Sequence, residues 1–171
     1  RRCTIAIRNL RKIQIGLETT AGTAVAATKR LLGNLKVTPD PKFFMPEDEE
    51  RARLAKVYRR ITVANGTKMT YEGPATFEQI VNLLSIGIKN TSAPTTPGGG
   101  TNPRDWTYTP SLTAVSAIKT MTFEYGDDVQ AYQVPYVVAT NIELTLSMDN
   151  VWMIKADLIG WGESKASFTG A

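Results

Sequence analysis

Apolar and polar positions are most clearly ordered in residues 77–89, FEQIVNLLSIGIK, where Phe77, Ile80, Val81, Leu84 and Ile88 recur at helical spacing. Residues three and four apart share one side of an α-helix, so the spacing predicts a helix with this stripe on the core. Glu78, Gln79, Asn82, Ser85 and Lys89 then face water. Pro74 ends the preceding segment, and Thr76 with Gln79 three residues on has the form of a capping box. Upstream, RRITVANGTKMTYEG carries a hairpin signal at Asn65-Gly66. A three-residue loop with Gly66 left-handed sets Ile61 opposite Met69 and gathers Ile61, Val63, Met69 and Tyr71 on one face. A two-residue loop would mix both faces, so the longer loop is expected.

Beyond Ala117 the period changes from helical to alternating, through IKTMTFEYG, VQAYQVPYVV, TNIELTLSMDN and VWMIKADLIGWG. Met121, Phe123 and Tyr125 point inward on one strand, and Ile142, Leu144, Leu146 and Met148 on another. Their outward partners are Thr120, Thr122, Glu124 and Glu143, Thr145, Ser147, Asp149, a set without Lys or Arg. Pro135 inside a strand pattern marks an edge or a bulge, because proline cannot donate to a ladder. At least six strands and one helix predict a mainly β fold, a β-sandwich or distorted barrel with one flanking α-helix. Residues 91–105, rich in Pro, Gly and Thr, read as a flexible exposed loop. The GGGT within it is no phosphate loop, since no Lys-Ser/Thr follows and no strand leads in.

Composition then narrows the function. The chain of 171 residues contains no His, which removes the commonest general base, the commonest metal ligand and every Ser-His or Cys-His pair. Most hydrolase readings stop there; an enzyme that holds a metal by carboxylates alone is left as an alternative, disfavoured because the acidic residues cluster at turns and in a charge-compensated loop, and no cofactor is expected. The single Cys3 can form neither an internal disulfide nor a zinc knuckle, and its simplest role is a buried small residue. Asp127-Asp128 and Asp149-Asn150 fall at turns, where such side chains bond their own backbone. The length suits one domain, and no apolar run approaches the roughly 20 residues that span a bilayer. No secretory signal or membrane anchor is expected. Charge is uneven: residues 1–60 hold 14 Lys/Arg against 6 Asp/Glu, and residues 61–171 hold 6 against 10. The basic run ERARLAKVYRR directly follows the acidic EDEE, so it reads as a solvated or subunit-contacting surface rather than a nucleic-acid site.

The stretch Ile13 to Ala27, IQIGLETTAGTAVAA, has one charge and no clear period. By its residues alone it is a strand followed by a loop, or leads into a short helix over Ala24 to Leu32 ending at Gly33. In order along the chain, KIQIGLETTAGTAVAATKRL, PEDEERARL, GTKMTYEGPATFEQIVNLLSIGIK and TFEYGDD resemble the major tail tube protein of long-tailed, siphovirus-like bacteriophages. The I-x-x-G-x-E-T-T-x-G-T-A-V-A-A string is the most specific part. The resemblance implies a single tail-tube domain without enzymatic activity, six-membered rings stacked into a hollow tube, and passage of the phage genome through it. It also implies location in the virion after assembly in the host cytoplasm, with tape-measure and terminator proteins as partners.

Within that frame residues 1–33 become an N-terminal arm and first strand region, with Ile13, Ile15, Glu18, Thr19 and Thr20 against a neighbouring subunit. Residues 39–58 become a stacking loop whose Glu47, Glu49, Arg51, Arg53 and Lys56 make contacts between rings. Passage of double-stranded DNA without sequence-specific binding calls for a wall that does not gather phosphates. Thr122, Glu124, Glu143, Thr145, Ser147 and Asp149 are therefore expected to line the lumen, the alternative being a solvated outer face. Two other readings compete: a tail terminator or contractile-tail tube of the same fold, and a small β-barrel nucleic-acid-binding module. Trp106, Trp152 and Trp161 are not set among basic residues, which counts against the last.

Overall fold

A computed structural model describes residues 10–46, 59–88, 105–109, 113 and 118–170. Along them run β1 (Lys12–Leu17), β2 (Lys29–Leu31), β3 (Asn34–Pro39), β4 (Lys42–Phe44), β5 (Ile61–Ala64), β6 (Gly66–Pro74), α1 (Phe77–Gly87), β7 (Met121–Gly126), β8 (Ala131–Thr145), β9 (Met153–Trp161) and β10 (Ser164–Ala166). One sheet has the order β2-β1-β7-β8-β9-β6-β3, with β10 beside the start of β8, and every pair in it is antiparallel. The fold is mainly β, as expected, and the sheet does not close into a barrel. Its two ends, β2 and β3, are joined by Leu32-Gly33 but do not pair.

β8 spans both halves of this sheet. Up to Val137 it pairs with β7, and from Val138 it pairs with β9. Pro135 and Tyr136 make the corner between the halves: the pairing with β7 slips opposite them, and Tyr136 takes φ 57°. Pro135 thus marks a bulge, as its missing N–H predicts. Ile13, Ile15, Leu31, Met69, Tyr71, Phe123, Val134, Val137, Ile154 and Leu158 form the core, closed on one side by Leu83 and Ile86 of α1. On β6 the alternation is as read from the sequence, with Met69 and Tyr71 buried and Lys68 and Glu72 exposed.

Three local expectations are overturned. The Asn65-Gly66 hairpin does not form, because both sides of β6 are taken by β3 and β9; β5 pairs instead with β4 as a separate ribbon. Ile61 and Val63 are exposed there. On α1 the buried face is Gln79, Asn82, Leu83, Ser85 and Ile86; of the predicted stripe only Ile80 packs against the core, and Phe77 is 93% exposed. Thr76 makes no side-chain cap; the Gln79 amide turns inward and donates to the Tyr71 hydroxyl at 3.1 Å, which donates in turn to the Leu32 carbonyl at 2.7 Å. Buried polar groups that complete one another thus outrank the longer apolar stripe. On β8 only Ile142 of the second inward set packs on the core, while Leu144, Leu146 and Met148 are exposed, because the β8–β9 hairpin runs beyond it.

Candidate functional site

The opening stretch belongs to the subunit's own fold. β1 lies between β2 and β7, so Ile13 and Ile15 enter the core at 7% and 2% exposure and are not available to a neighbour. No helix forms over Ala24 to Leu32. Residues 18–28 fold back across the other face of β1 and β7: Val25 N–H donates to Thr122 Oγ1 at 3.1 Å, Ala27 N–H to Thr169 Oγ1 at 2.8 Å, and Thr28 N–H to the Ile15 carbonyl at 2.9 Å. Small residues allow this close approach; a Cβ on Gly16 would collide with the Ala26 carbonyl. The strand-and-loop reading of the residues is therefore the one realised.

Glu18 holds that loop to the corner of β8. Its carboxylate accepts from Thr120 Oγ1 at 2.5 Å, Thr122 Oγ1 at 2.9 Å, Gly22 N–H at 2.8 Å and Tyr136 N–H at 2.8 Å. The Tyr136 N–H, bulged out of the ladder, finds its partner here. Gly22 sits at φ +83° with its Cα against the Trp161 ring, where a Cβ would come within 2.7 Å, and Tyr136 stacks on the same ring at 5.1 Å. Burial pushes the Glu18 carboxyl up, but its four hydrogen bonds outweigh burial and hold the pKa below the ordinary 4.5.

Thr122 and Glu124 are enclosed under the same loop, each at 0% exposure. Glu124 accepts from Thr169 N–H at 3.0 Å and Thr169 Oγ1 at 2.7 Å, so the C-terminal segment completes the cover. Their expected place on a lumen wall is corrected: period-2 alternation made them outward, but a second layer covers that side. Glu143, Thr145, Ser147 and Asp149 are exposed. Glu143 stands opposite Lys155, Lys155 opposite Glu72, and Asp157 opposite Thr70. The outer face of β8-β9-β6-β3 is consequently a mosaic in which Glu72, Glu143 and Asp157 interleave with Lys36, Lys68 and Lys155.

Thr19 and Thr20 are exposed, whereas Glu47, Glu49, Arg51, Arg53 and Lys56 lie outside the described residues, as does the 91–105 loop except Asp105. What the sequence reading missed is the apolar base of the 39–58 segment. All seven residues of the β4–β5 ribbon are exposed, Phe44 at 55% and Val63 at 68%. FFM beside charged residues was the available signal. A second exposed apolar group is Phe77, Leu144, Leu146, Met148, Val151 and Trp152. It continues into a groove of about 410 Å³ between α1 and β8, floored by Leu84, Ala139 and Ile142. A larger cleft of about 520 Å³ opens along the seam between β2 and β3, with Arg11 and Arg30 among its lining and Leu31, Leu35 and Val37 beneath.

Among the described residues no group of His, Cys, Asp and Glu is placed to hold a metal, and no helix is long and apolar enough to cross a membrane. No family model and no curated protein matches the chain. Solved structures do. A chain in the virion of a native gene transfer agent particle is similar at TM-score 0.52 and 10% identity, covering 95% of this chain and 100% of that one. A chain of an extracellular contractile injection system, the PVC sheath-tube complex in its extended state, gives 0.52 at 8% identity, covering 95% and 92%. A chain of the anti-feeding prophage cap, a tube-terminating cap, gives 0.51 at 6% identity, covering 98% and 94%. The chain has the tail-tube fold.

Proposed function

We propose that the protein is a structural subunit of a phage tail tube, in which copies join side by side into rings of six and the rings stack around a channel for DNA. The carrying observation is the sheet whose two end strands, β2 and β3, each have one edge without a ladder partner among the described residues. Open edges leave N–H and C=O groups without ladder partners, and a heterologous contact that closes by rotation can pair one copy's edge with the next. The fold shared with the sheath-tube and tube-cap chains supports the same reading.

The lumen wall is assigned to the outer face of β8-β9-β6-β3, with Glu143 and Thr145 on it and Ser147 and Asp149 at its tip. Interleaved charges of both signs offer no row of Lys and Arg to displace counterions, so a duplex passes without being held. Thr19 and Thr20, with Glu47, Glu49, Arg51, Arg53 and Lys56, are assigned to contacts between subunits and rings. Terminator and tape-measure proteins are the further partners, and the virion tail, assembled in the bacterial cytoplasm, is the location. Negative-stain electron microscopy of the purified protein tests the proposal. Six-fold rings or tubes are the expected result; a particle that stays monomeric at every concentration and salt overturns it.

A further inference from the structure

β8 carries the ladder from one half of the sheet to the other, and it does so between two irregularities. Opposite β7, Phe123 pairs with Val134 and Met121 with Val137, so Pro135 and Tyr136 together face one residue, Thr122. Opposite β9, Ala139 pairs with Leu158 and Asn141 with Asp157, which leaves Thr140 as an extra residue. An extra residue bends its strand and disrupts the ladder locally. One such bend lies in each half, and the change of partner from β7 to β9 falls between them. Gly160 of β9 is pressed into the corner: a Cβ there would come within 2.6 Å of Val134 and 3.0 Å of Val137.

A side-chain hydrogen bond pins each irregularity. Thr140 Oγ1 donates to the Asp157 carbonyl at 3.0 Å, and the Tyr136 N–H donates to the Glu18 carboxylate at 2.8 Å. Tyr136 is also the one non-glycine residue with a left-handed backbone among the described residues, at φ 57°. A bulky residue in that region is strained and persists only where its surroundings hold it. Here the surroundings are the 18–28 loop. Glu18 accepts from Thr122 of β7 as well as from Tyr136, and Gly22 and Tyr136 both rest on the Trp161 ring of β9. The loop therefore touches the β7 side, the corner and the β9 side at once.

We infer that residues 135–140 form a hinge between the two halves of the sheet, and that the 18–28 loop, through Glu18, is its lock. While the carboxylate holds the Tyr136 N–H, the corner keeps its left-handed residue and the halves keep one angle. Lifting the loop removes that acceptor, Tyr136 turns to an ordinary φ, and the halves swing about the corner, a few residues absorbing the backbone change. β2 belongs to one half and β3 to the other. The angle thus sets the width of the cleft that both line, with Arg30 and Leu31 on one side and Leu35 and Val37 on the other. The hinge is a property of the single chain and does not depend on the formation of rings.

Amide hydrogen exchange in the parent protein and a spin-label distance across the corner provide the test. In dilute parent protein the N–H groups of Gly22, Val25 and Tyr136, all bonded within the lock, are expected to exchange with one common protection, lower than that of the β6 and β9 amides. Nitroxide labels on Lys155→Cys of β9 and Lys165→Cys of β10, both exposed and set in different halves, with Cys3→Ser, report the angle by double electron–electron resonance. A single distance is expected in the parent and a second beside it in Glu18→Ala. Adding Tyr136→Asn should shrink the second population, since Asn takes a left-handed backbone more readily. Three amides that exchange at unrelated rates, or only with global unfolding, overturn the inference. So does a folded Glu18→Ala that keeps the parent's single distance, or a second distance that Tyr136→Asn does not diminish. Should Glu18→Ala fail to fold, the exchange pattern of the parent decides.

Discussion

The half-sheet around β1 and β7 and the extremities of the molecule use similar residues to opposite ends. Around β1 and β7 both faces are covered, one by the core and the other by residues 18–28 and Thr169, so that even Thr122 and Glu124 are enclosed and hydrogen-bonded. At the ribbon and at the β8–β9 tip, Phe44, Val63, Leu146 and Met148 remain in water. The first region is completed inside one chain. The second lies bare among the described residues, where large apolar side chains add nothing to the fold of the lone subunit.

Substitutions that separate folding from assembly break or sharpen this contrast. The largest effect is expected from Phe123→Ala, which empties a fully buried core position and should lower unfolding free energy by about 3–5 kcal/mol in urea titrations of dilute protein. Glu18→Ala comes next. It leaves the N–H groups of Gly22 and Tyr136 and two threonine hydroxyls without their acceptor, for a loss of about 2–4 kcal/mol. A value near zero would show that water replaces the carboxylate and that the loop is not held by it.

Acid offers a milder version of the same cut. Because the folded Glu18 pKa lies below 4.5, the unfolded chain binds its proton first as pH falls. Its contribution is then complete above about pH 4.5 and lost as pH drops through the folded value. Melting temperature should therefore fall more steeply below pH 4.5 in the parent protein than in Glu18→Gln. Asp40 and Asp127, also held below their ordinary values by Lys68 and Lys42 and by the N–H groups of Gln130 and Val129, titrate identically in both proteins, so the difference isolates Glu18. Gly22→Ala should cost about 1–3 kcal/mol, from a left-handed backbone and a clash with Trp161. The smallest effect on folding belongs to Val63→Thr, within about 0.5 kcal/mol, because Val63 is 68% exposed. If it destabilises the monomer like a core substitution, the ribbon is not the free surface described.

How much of this was legible follows the range of the forces involved. The inward faces of β7 and of Met69 and Tyr71 could be read because alternation reports the face a strand turns to one packed layer. The bulge at Pro135 could be read because a missing N–H is local. The burial of Glu124 could not, since its cover comes from Thr169, 45 positions away. The helix stripe failed for a related reason: Phe77, Val81 and Leu84 make the better apolar row, but Gln79 meets a buried hydroxyl on β6. The lumen set was divided by the same blindness, two of its six residues being enclosed and four exposed.

By itself, then, the amino-acid order determined a mainly β chain with one helix, a site-poor chemistry without histidine, and a small-residue stretch with one carboxylate set in it. Local sterics, hydrogen-bonding capacity and composition suffice for those. Which strand lies beside which, which polar residues are sealed and which apolar ones are left bare were decided only in three dimensions. Each depends on a surface supplied from far along the chain, and burial is a property of what arrives to cover a residue rather than of the residue alone.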